Sequence, residues 1–320
     1  MRKMESPLIS VIITVFNLED YIEKCILSVC AQSYTNLQII VVDDGSTDKS
    51  LVKCKSLAEI DKRIEVIHQT NKGSGAAKNK GIQLAKGQYI GFVDGDDCIE
   101  KNMYMNLVKA CLSYDADIAW CGRNVMSEDG KKLYDLFSSD KYEMCDSNEL
   151  VKKIIMRKEC DSATWDKLFK SDVWKSIRFE ENTKFDDLLP SVRLATAVTT
   201  KAVHIPDNGY NYLLRNDSIC HQKFGEGKFD MYKEAKKVQK FVKDRYPEYK
   251  KEADEFLTFY ANKLITQAYN AEGINRNQIL HLWSIYKEMF KILFSNIKYF
   301  KINIKIFLKL LLLSMKRRSE

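Results

Sequence analysis

The chain of 320 residues is short of what linkers and repetitive proteins are made of, with 13 glycines and 4 prolines. That composition excludes collagen-like and low-complexity chains. No internal repeat is visible, which removes solenoids and propellers. The longest uninterrupted apolar run in the C-terminal tail is residues 310–313, far short of the roughly 20 residues that a spanning helix needs. None of the nine cysteines forms a C-x-x-C pair or a cluster with zinc-ligand spacing, so scattered thiols in a reducing compartment are expected. No secretory signal is expected at the N-terminus. Its apolar run, residues 8–15, is short and β-branched and reads as a first strand.

What is present is a hydrophobic fraction of 45%, enough for a sizeable core. The length fits one large domain plus a smaller addition. Charge divides unevenly. From His221 onward 21 Lys and Arg face 11 Asp and Glu, a net of +10, whereas the whole chain carries +7. A basic C-terminal third fits an acidic neighbour, such as membrane lipid or nucleic acid, or a solvated helical face. A boundary near residue 220 gives domains of 1–220 and 221–320.

The first 120 residues alternate strand and helix. Strands are expected at 8–15, 37–42, 64–68, 89–93 and 118–121. Helices are expected after Asn17, up to about Glu59 with Ser46 or Thr47 as cap, at 75–85 and at 103–114. This alternation predicts a doubly wound, mostly parallel α/β sheet. Ligands of such sheets lie at the carboxyl ends of the strands. Those ends carry Thr14, Phe16 and Asn17, then Asp43 and Asp44, then Asn71, then Asp94, Asp96 and Asp97. Beyond residue 228 the pattern is helical, at 232–245, 250–269 and 278–294.

Three segments carry chemistry. Asp94-Gly95-Asp96-Asp97 packs three carboxylates into four residues, which a divalent cation or water must neutralise. An acidic turn capping a helix near Ile99 accounts for the same residues. Asp44 ends another strand and can accept a base N–H or cap the next helix. Residues 71–79 (NKGSGAAKN) lie at a strand-to-helix junction. The third glycine of a dinucleotide fingerprint is replaced by Lys78, so that motif is rejected. The helix N-terminus with Lys72 and Lys78 suits a diphosphate, and an ordinary turn with surface lysines fits too.

Together these segments resemble glycosyltransferase family 2, whose fold is GT-A. The stretches are ISVIITVFN (9–17), SVCAQSY (28–34), IIVVDDGSTD (39–48), NKGSGAAKNKG (71–81) and GQYIGFVDGDD (87–97), and the resemblance extends to about Ser218. It implies a GT-A sheet with a C-terminal helical extension. It also implies a nucleotide-sugar donor, by family habit a UDP-sugar. Thr14, Phe16, Asn17, Asp44, Asn71, Lys78, Asp94 and Arg215 fall at donor-side positions. Asp96, or its neighbour Asp97, is the expected contact of a Mn²⁺ or Mg²⁺ ion. Asp187 matches the catalytic base, with Asp186 where Glu is usual. Trp165, Lys167 and Asp186 fall on the acceptor side. Residues 210–215 and Ser218 resemble a segment that folds over the donor.

The expected activity is inverting transfer of a sugar to a hydroxyl of a glycan or lipid-linked acceptor, in cell-surface polysaccharide synthesis. A nucleotide-sugar-binding protein without turnover is the alternative. A nucleotidyltransferase is disfavoured because no glycine-rich loop follows the first strand. Nucleic-acid binding is disfavoured because no recognised module accompanies the basic charge. The 32 residues from Met289 hold 8 Lys and Arg and one Glu. A basic amphipathic helix on the inner face of the cell membrane is expected there, or else a helix packed on the protein with its lysines in water.

Overall fold

A computed structural model describes residues 6–215, 224–293 and 300–316. Ser218 therefore lies outside the described residues. The chain divides into two compact units, Met1–Asn216 and Asp217–Glu320.

In the first unit, β1 (Ile9–Val15), β2 (Leu37–Asp43), β3 (Ile64–His68) and β4 (Tyr89–Asp94) alternate with α1 (Ile22–Cys30), α2 (Ser50–Ile60) and α3 (Ser74–Leu84). Then come β5 (Cys98–Ile99), α4 (Met103–Tyr114), β6 (Ile118–Ser127), β7 (Lys132–Leu136), β8 (Glu143–Cys145), α5 (Ser147–Met156), β9 (Lys167–Lys170), α6 (Leu188–Thr196) and β10 (Ala202–Leu214). The sheet order is β3-β2-β1-β4-β9-β6-β10-β5, with β7 on β6 and β8 on β10. Strands β1 to β4 pair in parallel, as do β6 and β10, while β9 runs antiparallel between β4 and β6.

The β-branched run of β1 suits a strand covered on both faces. Ile9, Val11, Ile13 and Val15 enter one core with Ile22, Cys25, Ile26 and Val29 of α1 and with α4. Ile12 faces the other way and meets α3 so closely that a Cβ on Gly81 would overlap it.

Three local expectations are corrected. Helix α1 starts at Ile22 rather than directly after Asn17. Ser46 and Thr47 do not cap α2; their Oγ and N–H bind Asn17 instead. Likewise no helix starts near Ile99. Residues 98–99 form β5, so the acidic turn before it is not a helix cap.

The second unit holds α7 (Phe229–Arg245), α8 (Lys250–Asn270), α9 (Arg276–Leu293) and α10 (Phe300–Lys316). Ile306, Leu310 and Leu313 of α10 are buried, and α10 packs on α8 and α9. Trp283 Nε1 donates to Ser314 Oγ (3.0 Å), and Lys309 Nζ to Thr266 Oγ1 (2.7 Å). Ile304, Leu308, Leu311, Leu312 and Met315 stay exposed. They are spaced as one stripe of a 3.6-residue helix.

Candidate active site

The carboxyl ends of β1, β2 and β4 lie side by side, with Thr14 opposite both Val42 and Asp94. Phe16 is exposed just beyond β1. Asn17 takes a left-handed backbone (φ 51°), a conformation Asn tolerates better than most residues. Its Oδ1 accepts from Thr47 N (2.8 Å) and its N–H donates to Ser46 Oγ (3.0 Å), which ties the loop after β1 to the loop after β2.

Asp44 is buried, and its carboxylate is engaged by the chain itself. Oδ1 accepts from Gln69 Nε2 (2.8 Å) and Lys72 N (2.9 Å), and Oδ2 from Gly73 N (2.8 Å). These two backbone amides lie just before α3. Asn71 is exposed. Its N–H passes so close to Gly45 that a Cβ there would lie 2.7 Å away. Gly45 also has φ 79°, and both constraints call for glycine.

The acidic turn after β4 distributes its three carboxylates differently. Asp97 is buried; its Oδ2 accepts from the Tyr210 hydroxyl (2.8 Å) and its Oδ1 from Leu213 N (2.7 Å). Both oxygens therefore brace β10. Asp96 Oδ2 lies 3.2 Å from Arg215 Nε, whose guanidinium sits 4.7 Å over the Tyr21 ring. The Asp94 carboxyl is pushed up to about 6 by burial, held back by Lys78, and raised further by Asp96 and Asp186.

Lys78 on α3 reaches the segment before α6. Its Nζ lies 3.3 Å from Asp186 Oδ2 and 5.0 Å over the Phe179 ring. Burial would pull its ammonium down, but Asp186, Asp94 and Asp187 hold it above its ordinary value. Asp187 precedes α6 and accepts from Ser162 Oγ at 3.4 Å. Burial and Asp186 push its carboxyl up to about 7, against the pull of Lys78. A carboxylate at that value is about half ionised at neutral pH and basic enough to take a proton.

Trp165 stacks on Tyr210 (4.2 Å) and Tyr212 (5.5 Å). Lys167 is buried, with Nζ donating to Ala163 O (2.6 Å) and Asp166 Oδ1 (2.7 Å). Its ammonium is thus engaged inside the protein.

The structure thus brings Asp94, Lys78, Asp186 and Asp187 into mutual electrostatic reach, with Asp96 beside Asp94. It sets Asp44, Asp97 and Lys167 in supporting positions. Sequence reasoning missed Arg123, Ser162 and Tyr21. Arg123 carries one legible signal: an arginine inside an otherwise buried strand needs carboxylates.

Among the described residues no three of His, Cys, Asp and Glu form a complete metal-ligand set. Mg²⁺ and Mn²⁺ take one or two carboxylates and fill their shells with water and phosphate oxygens. Asp94 and Asp96 supply that kind of donor pair. The upward push on Asp94 from burial and its acidic neighbours is what a cation would relieve, so the residues fit the ion.

A mostly parallel sheet flanked by helices, with an acidic turn at the end of β4, is the architecture of a GT-A glycosyltransferase. Residues 10–165 match the family model described as Glycosyl transferase family 2. Glycosyltransferase GlyG of Streptococcus pneumoniae is 34% identical over 232 residues, 68% of this chain and 75% of that one. Minor teichoic acid biosynthesis protein GgaB of Bacillus subtilis is 29% identical over 215 residues, 65% of this chain and 23% of that one. The crystal structure of S. aureus TarS 1-349 in complex with UDP-GlcNAc superposes with a TM-score of 0.68 at 18% identity, over 87% of this chain and 80% of that one; at that identity the likeness is one of fold. The chain belongs to glycosyltransferase family 2.

Proposed function

We propose that the chain transfers a sugar, with inversion, from a UDP-sugar to a hydroxyl of a glycan or lipid-linked acceptor in cell-surface polysaccharide synthesis. The observation that carries this reading is Asp187, a half-buried carboxyl that accepts from Ser162 Oγ and is pushed up to about 7 beside the Lys78–Asp186 pair. A protein that only bound nucleotide-sugars has no use for such a base. The UDP-sugar is favoured by likeness in fold to a protein solved with UDP-GlcNAc. The polysaccharide setting is favoured by similarity to a protein named for teichoic acid biosynthesis.

Asp187 accepts the proton of the acceptor hydroxyl as its oxygen attacks the anomeric carbon. Lys78 keeps a positive charge beside Asp186, Asp94 and Asp187, which favours the ionised base. Thr14, Phe16, Asn17 and Asn71 line the donor side, with Asp44 holding the loop that carries Asn71. Arg215 closes on Asp96 from β10's end. Asp94 and Asp96 would hold the Mn²⁺ or Mg²⁺ ion that the family implies; when bound, it supplies positive charge to the departing diphosphate. Trp165 offers an aromatic surface to the acceptor.

The exposed stripe of α10 supports attachment to the inner face of the cell membrane. Its opposite face is satisfied within the unit, and Lys305 is exposed beside the stripe, an arrangement suited to anionic lipid. No described helix is long and apolar enough to cross a membrane.

The test is release of UDP from UDP-glucose, UDP-galactose and UDP-N-acetylglucosamine, with Mn²⁺ and with a chelator. Metal-dependent release that Asp187→Asn abolishes while donor binding persists supports the reading. Equal loss of binding and turnover in Asp187→Asn removes Asp187 as base.

A further inference from the structure

Arg123 of β6 is 3% exposed, and its guanidinium is fully engaged. Nη1 and Nη2 bind the Asp161 carboxylate at 3.0 and 2.5 Å, and Nε binds Asp166 Oδ2 at 2.7 Å. The rings of Trp165 and Phe137 lie 4.0 and 4.9 Å from it. A guanidinium forks in a fixed plane, so two carboxylates bound to it are fixed in mutual position. Those carboxylates end a loop, residues 161–166, that has no strand or helix ladder of its own. Asp161 Oδ1 also accepts from Ala163 N (3.0 Å), and Lys167 Nζ anchors Ala163 O (2.6 Å). Between these anchors Ser162 accepts from the Ser191 hydroxyl of α6 through its carbonyl and donates through its own hydroxyl to Asp187 Oδ2 at 3.4 Å. That last contact is long, of the kind that tightens when substrate binds.

We propose that Arg123 is a positioning residue for the catalytic base: one guanidinium closes both ends of the 161–166 loop and so holds the Ser162 hydroxyl against Asp187. A buried ion pair is a poor means of adding stability, since apolar side chains of similar volume do as well. It is a good means of fixing geometry in a segment without regular backbone pairing. The inference rests on the reading of Asp187 as base. The charged groups facing Asp187 are Asp186 beside it, Lys78 from α3, and Asp161 from the clamped loop.

The test compares Arg123→Lys, Ser162→Ala, their double variant and Asp187→Asn. The readout is UDP release from whichever of UDP-glucose, UDP-galactose and UDP-N-acetylglucosamine the wild type turns over fastest. Arg123→Lys keeps the charge and loses the fork. Arg123→Lys and Ser162→Ala are each expected to lower kcat about tenfold with donor KM nearly unchanged, because misplacing a catalytic group by an ångström is worth up to about 100-fold. Ser162→Ala also moves the acid limb of kcat to higher pH, since it removes a hydrogen bond that favours the ionised carboxylate. The double variant is expected to be no worse than Arg123→Lys. Wild-type kcat and pH profile in Ser162→Ala, or losses that multiply in the double variant, overturn the proposal. If Arg123→Lys does not fold, Ser162→Ala alone decides it. Full activity in Asp187→Asn instead overturns the base assignment.

Discussion

Lys78 Nζ and Asp186 Oδ2 lie 3.3 Å apart, each on a buried side chain, and join α3 to a segment 108 residues further along the chain. Removing one member of a buried pair strands the other charge, which costs about 3–5 kcal/mol, whereas replacing both by apolar groups is often neutral. Lys78→Met is therefore expected to destabilise the protein by about that amount in urea, and Lys78→Met with Asp186→Leu to recover most of it. A single variant no worse than a surface change would contradict the burial of this pair.

Titration gives a second expectation. Asp187 is held at about 7, against 3.8 for a free Asp. Its contribution to stability is full below about pH 4, declines as pH rises to about 7 and levels off above, with a slope of about 1.4 kcal/mol per pH unit for one proton. Buried His204, pushed down to about 4 by burial, titrates in the opposite sense below about pH 6.5. The difference between wild type and Asp187→Asn isolates the aspartate. The variant should gain on the wild type from pH 4 to 7, while wild-type kcat climbs through about pH 7. A pH-independent difference in melting temperature would count against the elevated value.

The acidic turn separates two roles. Asp96→Asn is expected to raise the Mn²⁺ concentration for half-maximal turnover by at least about tenfold with little change in melting temperature. Asp97→Ala leaves the Tyr210 hydroxyl and Leu213 N–H without their acceptor and should cost about 1–3 kcal/mol. Reversed effects, with Asp97 governing metal and Asp96 governing stability, would exchange the roles.

Gly75→Ala would ordinarily favour a helix by about 1 kcal/mol. Here the new Cβ overlaps the carbonyl oxygen of Glu180 and comes within 3.1 Å of Asp186 Cβ. The expected result is a net loss of about 1–3 kcal/mol together with reduced kcat, as the segment carrying Asp187 is pushed from α3. Unchanged kcat and raised stability would show that the segment yields freely.

On α10, Leu310→Ala removes a fully buried side chain and should cost about 2–5 kcal/mol. Leu308→Ser with Leu312→Ser alters only the exposed stripe. It should leave melting unchanged and abolish sedimentation with vesicles of phosphatidylglycerol and phosphatidylethanolamine. Equal sedimentation of variant and wild type would remove the stripe as a membrane contact.

Strands β1 to β4 and the long helices were legible because each follows from the spacing of its own apolar residues. β7, β8 and most of β10 were not. Their pairing is settled by partners far along the chain, and β10 passes irregularities between His204 and Tyr210. The site divided along the same line. Asp94 and Asp96 could be picked out by local motif, and Asp187 only through the family resemblance. That the amides of Lys72 and Gly73 belong to Asp44, that Asp97 belongs to Tyr210, and that Arg123 governs a loop 38 to 43 residues away depends on contacts no window of sequence contains.

Strand β9 interrupts the parallel order between β4 and β6. One flank of the sheet therefore ends in Val15, Asp43 and Asp94, and the other carries Arg123, Tyr210 and Tyr212, with a short reversed strand as the seam. On the function proposed, the first flank holds the donor and the second meets the acceptor, so substitutions beyond the seam can alter one ligand's contacts and leave the other's in place.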